Sequence, residues 1–76
     1  MKTAKEMFEE LGYEKFENDS RITYEKYNRE CKMIEFDKER MEITFADDNY
    51  CEVVMIDRKE LQAINKQVEE LGWLDE

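Results

Sequence analysis

Histidine is missing from this 76-residue chain. With it go imidazole general bases, Ser-His-Asp triads and His-containing metal sites. Proline is also absent and there are only two glycines, so neither a linker of the usual composition nor a glycine-rich phosphate cradle exists. Ser20 is the sole serine; it lies in a predicted turn with no base beside it and reads as a turn residue. Cys31 and Cys51 are too few for a disulfide framework or a four-ligand zinc site. They are expected to be free thiols, small buried side chains on different strands that could be neighbours. No apolar run approaches the ~18 residues of a membrane span. The opening Met1 to Glu10 is too acidic and polar for a signal peptide, so a cytoplasmic protein is expected.

What remains is apolar enough to fold and heavily charged. Hydrophobic residues make up 41% and aromatic ones 12%, which excludes a disordered chain, while 43% are charged. Residues 1–76 read as a single small domain, near the size at which one core becomes marginal and a homodimer is a common supplement. Twelve basic and twenty-one acidic side chains give a net charge of −9, which argues against direct nucleic-acid binding and favours cationic partners. The excess acid lies in the first 20 and last 31 positions; residues 21 to 45 carry six charges of each sign.

Two helices can be read directly. Near the C-terminus, Asp57 and Glu60 form a capping box, and Ile56 with Leu61 a hydrophobic staple. Leu61, Ile64, Val68 and Leu71 then recur at helical spacing until Gly72. Near the N-terminus, Thr3 and Glu6 make a second box, followed by Ala4, Met7, Phe8 and Leu11 and a stop at Gly12. Phe8-Glu9-Glu10-Leu11-Gly12-Tyr13 parallels Val68-Glu69-Glu70-Leu71-Gly72-Trp73. Both match a Schellman ending, in which the aromatic folds back on the helix.

Between the helices the periodicity changes to two. After a turn at Asn18 to Ser20, strands are expected from Ile22 to Tyr27, around Cys31 to Phe36, from Met41 to Phe45 and from Tyr50 to Ile56. The odd spacing of Tyr24 and Tyr27 suggests a bulge or a switch of face. Short connections force antiparallel neighbours. The expected fold is α+β: N-terminal helix, four-stranded antiparallel meander, C-terminal helix, with both helices on one face of the sheet.

Candidate chemistry is sparse. Asp47, Asp48, Asn49 and Glu52 could offer oxygens to a hard cation but lack the spacing and glycine of an EF-hand, and read as a polar hairpin turn. Glu35 and Asp37 alternate along a strand, and a solvated face explains them better than an acid–base pair. No metal, cofactor or catalytic residue is expected, and no enzymatic activity. Two other features suit binding. Tyr13, Tyr24, Tyr27 and Tyr50 are many tyrosines for this length; half-exposed they would be contact residues, otherwise they close the edge of the core. The acidic helix ends, Glu69 and Glu70 among them, would either solubilise the protein or steer it to a basic partner.

The opening Met1 to Tyr13, the strand Ile22-Thr23-Tyr24-Glu25-Lys26-Tyr27 and the ending Glu60 to Trp73 resemble small uncharacterised open reading frames of phages and prophages of low-GC Gram-positive bacteria. The resemblance covers most of the chain and brings no catalytic residues. It implies a phage context, in which short acidic proteins without cofactors often inhibit host machinery or antiviral defence. The expected function is therefore non-enzymatic binding that inhibits a host protein, such as a defence or nucleic-acid-binding factor, by occupying its surface. Tyr24, Tyr27, Tyr50, Glu69 and Glu70 would make the contacts. The alternative is an oligomeric sponge for a small nucleotide signal, bound by a basic cluster that includes Arg29 and Lys32.

Overall fold

The computed structural model describes residues 2–27, 31–47 and 55–74, including their side chains except those of Cys31 and Asp47. Helix α1 (Ala4–Glu10) leads into strands β1 (Glu14–Glu17), β2 (Arg21–Tyr27), β3 (Cys31–Asp37) and β4 (Glu42–Asp47), and helix α2 (Arg58–Glu70) ends the fold. The strands form one antiparallel meander in the order β1-β2-β3-β4, as the short connections require.

The helix boundaries are set by local chemistry. Thr3 Oγ1 accepts the N–H of Glu6 at 3.2 Å and the Glu6 carboxylate accepts the N–H of Thr3 at 3.1 Å. Asp57 and Glu60 repeat the arrangement at 2.8 and 3.2 Å. Both helices end as Schellman motifs: Tyr13 N–H donates to the Phe8 carbonyl and Trp73 N–H to that of Val68, with Gly12 and Gly72 at φ 96° and 75°. At seven residues α1 is too short to hold by itself, so its docking holds it.

That docking is aromatic. The Phe8 ring stacks on Tyr24 at 3.9 Å between centroids and meets Tyr13 edge-on at 5.5 Å, while Phe36 stands edge-on to Tyr24 and packs beside Trp73. Ile22, Tyr24, Ile34 and Phe36 line the sheet face beneath, and Ala63 and Ile64 of α2 complete the core. Both helices thus cover one face. They also touch each other: the free N–H of Ala4, in the first turn of α1, donates to Glu70 of α2 at 2.8 Å.

Several expectations need correction. First, β1 pairs with β2 from Glu14↔Glu25 to Glu17↔Ile22 although its sequence shows no alternation, because an edge strand carrying charge on both faces leaves no period-2 trace. Tyr50 to Val54, most of the strand expected there, lie outside the described residues, and Met55 and Ile56 belong to no strand. Second, Leu61 drops out of the expected stripe of α2, whereas Ile64, Val68 and Leu71 keep their places against the core. Glu60, Ala63, Ile64 and Gln67 are buried while Leu61 is 52% exposed. The polar pair at 60 and 67 is buried beside that stripe because each finds a hydrogen-bond partner. Third, Met41 precedes β4 rather than starting it, at φ 56° and exposed. No bulge separates Tyr24 from Tyr27; the register with β3 is continuous, and odd spacing places them on opposite faces.

Candidate functional site

The meander register assigns every strand residue to a face. Glu14, Glu25, Met33 and Ala46 form one cross-strand row on the side away from the helices. Phe16, Thr23, Glu35 and Thr44 form the next, followed by Arg21, Asp37 and Glu42. Tyr27 stands beyond the first row. No described helix covers this side. Phe16 is 47% and Tyr27 65% exposed, so two aromatic rings project from a face that the core does not use. Thr23 donates to Glu35 across the strands at 3.3 Å, and the Tyr27 hydroxyl donates to Glu25 two residues away. Asp37 accepts the N–H groups of Glu39 and Arg40, both at 3.0 Å, which holds its carboxyl below the ordinary aspartate value.

On the helix side lies a buried polar cluster. Glu60 accepts from the Tyr13 hydroxyl and from Lys32 Nζ, with the ion pair closing at 2.9 Å, and Lys32 also donates to the Met55 carbonyl. Burial pushes the Glu60 carboxyl up, but the Tyr13 and Lys32 donors and the Asp57 N–H prevail, leaving it below its ordinary value. Burial, reinforced by Glu60, pushes the Tyr13 phenol well above its ordinary value. The pair is therefore an ionised acceptor and a locked donor at neutral pH, suited to fastening α2 and residue 55 onto the sheet rather than to moving protons.

No known protein family, curated protein or solved structure matches this chain.

Of the five expected contact residues, Tyr27 stands on the uncovered face. Tyr24 is fully buried, with its hydroxyl donating to Gln67 at 2.6 Å, so it belongs to the core and offers no contact area. Tyr50 lies outside the described residues. Glu69 is exposed and pairs with Lys66 at 3.6 Å, whereas Glu70 is engaged by Ala4. Of the alternative ligand residues, Arg29 is outside the described residues, and Lys32 is committed to Glu60 and Met55, which a ligand would have to displace. Cys51, and with it the question of a Cys31 neighbour, also lies outside, as do residues 48 to 52 of the acidic turn. Among the described residues no three carboxylates or thiols converge as a metal set. Sequence reasoning passed over Phe16 and did not bring Glu14 and Glu25 together. Only the pairing of β1 with β2 puts them beside one another.

Proposed function

We propose that this protein is a non-enzymatic binding protein that inhibits another protein by covering its surface with the uncovered side of the sheet. The observation that carries this reading is the exposure of Phe16 and Tyr27 on the one sheet face that neither helix packs against. An exposed tyrosine and phenylalanine on a rigid sheet lose little conformational freedom on contact, which is why aromatic residues dominate binding energy. The phage resemblance supplies the context: the target is a host protein, of antiviral defence or with a basic nucleic-acid-binding surface. Glu69 adds steering from the end of α2.

The test is affinity capture from host lysate with the wild-type chain and with the Phe16→Ser/Tyr27→Ser variant. Both side chains lie outside the core, so circular dichroism and the melting temperature should change little. Retention of one host protein by the wild type and its loss with the variant is the expected result. Equal retention by both would remove the sheet face from the function.

A further inference from the structure

The uncovered face is strongly acidic, and we propose that it is a docking surface for a cationic, arginine-bearing segment of the partner protein. This deepens, and rests on, the surface-covering reading above. Five carboxylates stand on this face, those of Glu14, Glu25, Glu35, Asp37 and Glu42, and Arg21 is its one cation among the described residues. Four of the five form like-charge pairs directly across strands, Glu14↔Glu25 and Asp37↔Glu42. Side chains so placed stand about 5 Å apart at Cβ, and like charges there destabilise a sheet. Asp37 is relieved by the two backbone N–H groups it accepts and by Arg21 opposite.

Among the described residues no ion pair engages Glu14 or Glu25, and Glu25 accepts only the uncharged Tyr27 hydroxyl. Its sequence neighbours Lys15 and Lys26 face the helix side, where Lys15 pairs with Glu17 at 3.3 Å and Lys26 lies over the Tyr13 ring. A lysine in place of either glutamate would turn repulsion into a cross-strand ion pair at no cost to solubility. Two carboxylates set side by side on the exposed aromatic face instead match an external cation. The flanking residues fit that cation too. Phe16 lies two positions along β1 on one side of the pair, and Tyr27 two positions along β2 on the other, each about 7 Å away along its strand. Two carboxylates between two exposed rings suit a guanidinium, which takes carboxylates in a bidentate fork and stacks on aromatic faces.

Charge also argues against other occupants. A second copy would set five carboxylates against five, and nucleic acid or an anionic membrane would bring phosphates to the same surface.

The experiment titrates the ¹⁵N-labelled full chain with a nona-arginine peptide near physiological salt. Wild type is compared with Glu14→Gln/Glu25→Gln and with Glu9→Gln/Glu10→Gln, which removes the same charge from helix α1. The face variant should lose roughly tenfold or more in affinity and the helix variant less than about twofold, with resonance shifts confined to β1, β2 and β3. The face variant should also melt higher than wild type, because the like-charge pair is gone. Equal losses in both variants, or shifts spread over the helices, would overturn the inference. The same variants separate it from the reading beneath it. If lysate capture is lost with Phe16→Ser/Tyr27→Ser but kept with Glu14→Gln/Glu25→Gln, the surface-covering function stands and the cationic partner falls. If neither variant alters capture, both fall.

Discussion

Glu60 shows how one side chain can serve two levels of the structure. Its carboxylate closes the cap of α2 on Asp57 and also receives the Tyr13 hydroxyl and the Lys32 ammonium. Because its folded pKa lies below the ordinary value near 4.5, the ionised form contributes stability that is present above that value and lost as pH falls through the folded one. Tyr13→Phe removes one donor to a buried carboxylate and should cost about 1–3 kcal/mol at neutral pH in urea titrations. The variant should also lose less stability on acidification, since Glu60 would then titrate closer to its unfolded value. An acid limb parallel to that of the wild type would show that Tyr13 does not hold the carboxylate. Met41 is the opposite case, a residue in local conflict. Its φ of 56° costs a side-chain-bearing residue about 1–2 kcal/mol, more than the roughly 0.5–1 kcal/mol of extra chain entropy that glycine brings. Met41→Gly should therefore raise stability by about 0.5–1 kcal/mol by the same titration; a loss would mean that the exposed thioether packs usefully.

At the scale of elements, the two faces of α2 predict unequal mutants. Ile64→Ala should cost about 2–5 kcal/mol, as for a buried branched side chain, whereas Leu61→Ala should cost less than about 1 kcal/mol. Equal costs in thermal melts would return Leu61 to the stripe expected from periodicity. Both helix starts and both endings were legible because capping boxes and Schellman motifs are local, and four to six residues specify them. The burial of Glu60 and Gln67 in place of Leu61 was not, because it depends on partners 47 and 43 positions away, Tyr13 and Tyr24. Alternation revealed β2 and β3, where Ile22, Tyr24, Ile34 and Phe36 point to the helices. β1 stayed hidden because its pairing, not its composition, makes it a strand. The candidate surface shares that fate: Tyr27 was legible as an aromatic, while its company with Phe16, Glu14 and Glu25 follows only from the register.

Across the whole molecule, a net charge of −9 on 76 residues makes self-repulsion a general burden on the folded state. Raising salt from about 0.1 M to about 1 M shortens the screening length from roughly 10 Å to 3 Å. The melting temperature should climb by several degrees, since about 1 kcal/mol moves a domain of this size by roughly 4–8 °C. A fall in scanning calorimetry would mean that attractive pairs such as Lys32–Glu60 outweigh the repulsion.

The meeting of α1 with α2 also sets an order of events at the ribosome. Residues 14 to 47 can zip into a meander as they emerge, since each strand pairs with the next. Phe8 can stack on Tyr24 at that stage, yet Ala63, Ile64 and the carboxylate that holds Ala4 arrive only with the last turns of chain. A nascent chain stalled before residue 58 would carry a sheet covered by α1 alone on one side and bare on the other, and such an intermediate is a substrate for proteases and chaperones rather than a working fragment.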